Sequence, residues 1–240
     1  MASEYDRLER PNLSTSIQDI IRQRIFSGEL KPGDKINEDD WAAALGVSKT
    51  PLKMGLVGLA EEGLVELVPR RGAFVQELTA HDELEIYQIR ETLEKLAISL
   101  AVGRIGDDEA ADLVAIAEEY AEVFERFAAL ERNEKSGSAG QRIFGDLKAK
   151  DIEFHRTLVA LSGNEQLVEL MNKGKIQYLT FIAAERIRPV AELPSIISYE
   201  HLEIAAAVRD RDVVRAHKLT SVHLERGQHA LRQRIAETAQ

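Results

Sequence analysis

Ser27-Gly-Glu-Leu-Lys-Pro-Gly-Asp-Lys-Ile-Asn37, then Leu45-Gly-Val-Ser-Lys-Thr-Pro-Leu52, then Glu62-Gly-Leu-Val-Glu-Leu-Val-Pro-Arg-Arg-Gly-Ala-Phe-Val75 decide how the first third of this 240-residue chain folds. Ahead of them, Leu13, Ile17, Ile20, Ile21, Ile25 and Phe26 recur at helical spacing. Ser14 or Ser16 is the expected cap of that helix. Ser27-Gly28 ends it, and Lys31-Pro-Gly-Asp34 makes a tight turn. Asn37 is placed to cap a short second helix that carries Trp41 and stops at Gly46, where a positive backbone angle suits glycine. Ser48 or Thr50 opens a third helix with Pro51 in its first turn and Leu52, Leu56 and Leu59 as its buried stripe. Gly63 ends that helix. Two β-rich runs around Pro69-Arg-Arg-Gly72 then read as a hairpin. Three helices followed by a two-stranded wing make a winged helix-turn-helix, a module that places one helix in the DNA major groove.

Glu77 to Asp82 is a polar joint. It divides an expected DNA-binding domain, residues 1–78, from a second domain, residues 82–240. Beyond the joint every long segment has a helical period, at roughly 82–103, 107–133, 141–162, 165–187, 193–209 and 211–236. No strand-like alternation interrupts them, so an antiparallel bundle with short connections is expected. The fold class is mainly α: an N-terminal winged helix-turn-helix and a C-terminal all-α antiparallel helical bundle.

Composition narrows the function. A hydrophobic fraction of 44% is enough for two packed cores. No cysteine is present, which removes disulfides and thiolate metal sites and suits a reducing cytoplasm. Neither a signal-peptide pattern nor an apolar run of spanning length is visible, so no membrane partner is expected. The net charge of -10 argues against a protein that coats nucleic acid. Even residues 1–78 hold ten Lys or Arg against thirteen acids, a balance of -3. DNA contact must come from placement: Lys49, Thr50 and Lys53 on the third helix, and Arg70, Arg71 and Gly72 at the wing tip.

In the bundle, Asp151 and His155 are four apart on one helix and project from one face. Alone, such a pair is more often a surface contact than half of a metal site. His201 and His223 lie on two later helices. His217 and His223 are six apart, about 240° around a helix, and face different ways. His223 shares its side with Ala216, Leu219, Thr220, Gly227 and Ala230, which suit a bundle interior; His217 lies on a mixed face. His81 and His229 have no partner at ligand spacing. Arg90 reads as a surface salt bridge with Glu94 at i+4, with Tyr87 a turn away.

The order of these motifs resembles the GntR family of bacterial transcription regulators. The helical part is similar to the FadR-type branch with an effector-binding FCD domain, nearer its six-helix VanR-like variant. The resemblance runs from about Leu13 to Arg234. It rests on the Ser27–Asn37 turn, Gly46-Val-Ser-Lys-Thr-Pro51, Glu62-Gly-Leu-Val65, Arg71-Gly-Ala-Phe-Val75, Arg90-Glu-Thr-Leu-Glu94, Asp151-Ile-Glu-Phe-His155, Ser162-Gly-Asn164 and His201. It implies a cytoplasmic homodimer that binds double-stranded operator DNA and acts as a repressor released by a small carboxylate effector. It further implies a divalent metal, zinc before nickel or manganese, on Asp151, His155, His201 and His223, with the effector held by Arg90 and Tyr87.

The chain departs from the family pattern. Both usual arginines of the third helix are lysines, Lys49 and Lys53, and a further usual arginine is replaced by Asp39. Lysine offers a point charge where arginine grips guanine with two parallel bonds. A ligand sensor of the same fold without specific DNA binding is therefore the alternative. A metal-dependent hydrolase has less support: no Glu stands three residues before any histidine, and no His-Glu-x-x-His or phosphate-binding glycine loop occurs.

Overall fold

The computed structural model describes residues 13–130, 137–171, 176 and 196–238. The chain divides into two compact units, Met1–Leu78 and Thr79–Gln240.

In the first unit, α1 spans Leu13–Phe26, α2 Glu38–Leu45 and α3 Lys49–Glu61. The helix α1 begins ahead of both serines expected to cap it: Ser14 is buried inside its first turn and Ser16 follows. Ile17, Ile21 and Ile25 form its buried stripe and meet Leu52, Leu56 and Leu59 of α3, all almost wholly removed from water. Each such side chain contributes about 1.5–3 kcal/mol. Asn37 caps α2 as expected, accepting from the Asp39 amide at 3.1 Å. Glu38, Asp39 and Asp40 fill its first turn, where negative charge complements the helix dipole. Gly46 closes the helix at φ 65°. Ser48, not Thr50, takes the cap position of α3, though its side chain makes no capping bond.

The wing has one strand more than the two expected. The strands β2 (Val65–Val68) and β3 (Gly72–Val75) form the antiparallel hairpin, with Val68 opposite Gly72. The two-residue β1, Lys35–Ile36, pairs on the other side of β3, giving the order β1-β3-β2. Two residues are too few for a period-2 signal. Burial of Ile36, beside Ala73 and Val75, holds the strand in place.

In the second unit, α4 spans Ala80–Val102, α5 Asp107–Ala128, α6 Ser138–Ala160, α7 Glu165–Met171, α8 Ile196–Arg209 and α9 Val213–Thr238. The helix α4 starts two residues earlier than its periodicity suggested. Thr79 is its cap, and Asp82 lies within the first turn, completing a reciprocal capping box. The helix α5 ends at Ala128, ahead of the expected 133, and α6 begins at Ser138, inside the break expected at 135–140. Residues expected to extend the helix after 165 beyond Met171 lie outside the described residues, apart from the helical Ile176. Neighbouring helices run antiparallel. Glu91 of α4 meets Ser221 of α9 while Ser99 meets His217. Tyr120 of α5 meets His201 of α8 while Asp107 meets Arg211 just beyond it. The core between them includes Ile98, Leu113, Phe154, Leu158, Ile204 and Val208.

Candidate metal centre and nucleic-acid interface

Asp151 and His155 project from one face of α6, as their spacing requires. His201 of α8 and His223 of α9 approach the same point, and one ligand atom from each of the four lies within 4.8 Å of the others. His155 Nε2 is 3.2 Å from His223 Nε2 and 3.4 Å from His201 Nε2. Asp151 Oδ1 is 3.3 Å from His201 Nε2 and 3.9 Å from His155 Nε2. Metal–nitrogen bonds of about 2.0–2.1 Å give nitrogen–nitrogen edges of about 3.0–3.4 Å, the spacing found here.

The outer nitrogens decide the tautomers. His155 Nδ1 donates to Glu94 Oε2 at 2.9 Å, and His223 Nδ1 donates to Glu200 Oε2 at 3.1 Å. Both carboxylates are held ionised. Burial alone would raise Glu94, but Arg90 and His155 outweigh it and bring it down to about 2. Glu200 is likewise lowered against its burial by His223 and Arg226. A carboxylate only accepts, so each neutral ring carries its proton on Nδ1 and turns a bare Nε2 lone pair inward. In that tautomer the two Nε2 lone pairs face one another at 3.2 Å and cannot hydrogen-bond. A cation between them resolves the contact, and the residues present fit one.

The remaining electrostatics agree. Burial lowers His201 to about 4 and lowers His155 as well, keeping both neutral and able to ligate. Asp151 lies well below the ordinary carboxylate range, because His201, His155 and Arg90 overcome its burial. The His201 ring packs against Tyr120 at 4.2 Å and edge-on to Phe154 at 4.6 Å between centroids.

Arg90 and Glu94 form the expected i,i+4 pair at 2.5 Å, but they are buried and not a surface pair. Arg90 Nε is committed to Glu94, whereas its buried Nη2 has no hydrogen-bond partner among the described residues. Tyr87 is also buried, which pushes its hydroxyl up to about 12, and it lies in the field of Arg90 and Asp151. On the far side, Arg226 Nε stands 2.5 Å from Glu200 Oε1. The centre therefore has two arms: Arg90–Glu94–His155, buried and hydrogen-bonded throughout, and Arg226–Glu200–His223, in which the half-exposed arginine makes an ion pair. Sequence reasoning saw Glu94 only as a partner for Arg90 and missed Glu200. The one signal available for Glu200 is its position beside His201.

His217 stands apart from the four. Its Nε2 lies 2.9 Å from the Lys95 carbonyl and 3.0 Å from Ser99 Oγ, tying α9 to α4. His81 makes an exposed contact with Glu85.

Of the residues expected to touch DNA, Lys49, Thr50, Lys53, Arg70 and Arg71 are exposed on the first unit and Gly72 is half-buried. Lys49 Nζ is 2.5 Å from Asp39 Oδ1, and Lys53 Nζ is 3.6 Å from Glu38 Oε2. Each lysine of α3 thus faces an acid of α2. At the wing tip Arg70 adopts φ 63°, Gly72 takes φ 106°, which only glycine adopts without strain, and Arg71 lies over the Phe74 ring at 5.5 Å.

A winged helix-turn-helix on the same chain as a helical unit with a buried histidine centre is the build of a ligand-responsive transcription regulator. Two family profiles match the chain: bacterial regulatory proteins of the gntR family over residues 13–75, and the FCD domain over residues 85–226. The chain belongs to the GntR family of transcription regulators, in the branch that carries an FCD domain. It is 32% identical over 188 residues to the Nta operon transcriptional regulator of Aminobacter aminovorans, covering 77% of this chain and 78% of that one. It is 26% identical over 212 residues to the HTH-type transcriptional repressor GlaR of Escherichia coli, covering 85% and 89%. Among solved structures it shares its fold with McbR/YncC of E. coli, at a TM-score of 0.70 and 19% identity, over 93% of this chain and 98% of that one. No helix among the described residues is long and apolar enough to cross a membrane.

Proposed function

We propose that this regulator is a cytoplasmic homodimeric repressor. It binds a palindromic operator through residues 1–78 and is released when residues 82–240 bind a small organic acid. The observation that carries the sensing half is the inward convergence of three histidine Nε2 atoms and the Asp151 carboxylate, with two of the rings fixed by buried carboxylates. That donor set suits a borderline divalent ion, zinc before nickel or manganese. The bound ion would offer open positions to carboxylate oxygens. Arg90 supplies a charged donor through Nη2, which has no other hydrogen bond, and Tyr87 supplies a hydroxyl kept protonated by burial. An acid bound there draws on α4, α6, α8 and α9 at once, so its occupancy favours one packing of the bundle over another. In a dimer, that bias changes the spacing of the two reading heads and lowers operator affinity.

The reading half rests on Lys49, Thr50 and Lys53 of α3 in the major groove and Arg70, Arg71 and Gly72 at the adjoining backbone or minor groove. The decisive experiment is selection of genomic fragments by the purified protein at physiological salt, after stripping small molecules. Enrichment of one or a few palindromes is expected. Lys53→Ala should then weaken binding about tenfold and reduce the salt slope by about 1. No enrichment over random fragments would favour a sensor without specific DNA binding, the reading that the acid-paired lysines keep in view.

A further inference from the structure

The helix α3 has no arginine, asparagine or glutamine, the side chains that read guanine and adenine through paired hydrogen bonds. At about 100° per residue, Leu52, Leu56 and Leu59 cluster on its buried side. Thr50, Lys53, Met54 and Val57 fall on the opposite side, within about 100° of one another. These four line one shallow depression in the surface, and Met54 and Val57 are 57% and 46% exposed. The lysines stand at its margin, each facing an acid of α2. The middle of the outward face therefore presents methyl and thioether groups, and its edge presents positive charge.

Only one major-groove feature is apolar, the 5-methyl group of thymine. We infer that Met54 and Val57, helped by the Thr50 methyl, read thymine methyl groups within each half-site, with Lys49 and Lys53 on the flanking phosphates. The charged margin favours DNA over an apolar protein surface as the occupant. The unbranched, polarizable Met54 side chain adapts to a methyl group at either of two neighbouring steps. The inference rests on operator binding by this unit, as proposed above, and gives that binding a base preference.

The test uses the full-length protein and an operator obtained by selection. Each thymine of a half-site is replaced in turn by deoxyuridine, which removes the methyl group and leaves every hydrogen-bonding atom. Affinity should fall about fourfold at one or two positions per half-site, the worth of one buried methyl-sized group. Met54→Ser and Val57→Ser should bind more weakly and lose the distinction between thymine and uracil at those positions. Equal binding of thymine and uracil at every position overturns the inference while operator binding stands. Failure to select any operator overturns operator binding itself, and the inference with it. Loss of the dimer in Met54→Ser, measured by sedimentation, assigns the patch to a second copy and also overturns it.

Discussion

The histidine centre and the outward face of α3 solve opposite problems. At the centre, His201 and Glu94 are wholly buried and His155 and Arg90 nearly so, and two of the three rings have a carboxylate to hold them. On α3, the polar and apolar groups alike are exposed, and the lysines face acids across water-accessible gaps. A site for a small ion must be finished before its ligand arrives, because reorganising buried charges costs several kcal/mol. A face for DNA is finished by the DNA, whose phosphates displace weak surface pairs at little cost. The difference teaches where a single substitution acts: through structure at the centre, through encounter and salt dependence on the face.

The largest effect should come from cutting one arm of the centre. Glu94→Gln leaves Arg90 buried without its countercharge, and the new amide must choose between two donors, Arg90 Nε and His155 Nδ1. If the amide nitrogen faces His155, the ring moves its proton to Nε2 and can no longer ligate. Breaking one partner of a buried pair costs about 3–5 kcal/mol, and losing an outer-shell partner costs about 10–100-fold in metal affinity. Denaturant unfolding of the metal-free protein and competition with a metal chelator measure the two losses separately. Unchanged metal affinity in a folded Glu94→Gln protein would show that the arm does not position His155, and the contrast with α3 would weaken.

A somewhat smaller effect follows from pH. Burial holds His201 near 4 in the folded protein against 6.5 for the free side chain. Between those values the unfolded chain takes a proton that the folded chain refuses, so stability falls as the pH falls through that window. About 2 kcal/mol should be lost between pH 7 and pH 5 in metal-free protein. Unfolding measured at both values tests it, and His201→Gln should flatten the slope.

What could be seen in the chain follows the same division. The four candidate ligand residues were named from spacing and family resemblance, and helical phase on α9 favoured His223 over His217 because phase is local information. Glu200 was not visible: its role depends on α8 and α9 lying side by side, and nothing in Tyr199-Glu200-His201 encodes that neighbour. Arg90 and Glu94 were visible as a pair but not as a buried one, since burial is a property of what packs over them. In the first unit, Asn37, Gly46 and Gly63 announced their turns through local chemistry. Lys35–Ile36 was not readable as a strand, because its partner, β3, lies almost forty residues away. The pairing of α3 lysines with α2 acids was equally hidden. Asp39 was visible only as a departure from the family pattern, whereas in the fold it lies in the first turn of α2 and meets Lys49.

The smallest expected effect is the most direct probe of the exposed face. Asp39→Asn removes the partner of Lys49. Both side chains are largely exposed, so folding stability should stay within about 0.5 kcal/mol. Binding should respond instead, because a lysine freed from its carboxylate is available to a phosphate and one repulsive charge is gone. Operator affinity should rise a few-fold, about two- to fivefold at low salt, and the gain should shrink as salt is raised past the point where the Debye length falls below about 8 Å. Fluorescence anisotropy across a salt series separates this from a change in base preference, since phosphate contacts strengthen selected and random duplexes alike. A gain confined to the selected operator would place Asp39 near a base edge, and no change on any duplex would move α2 away from the DNA altogether.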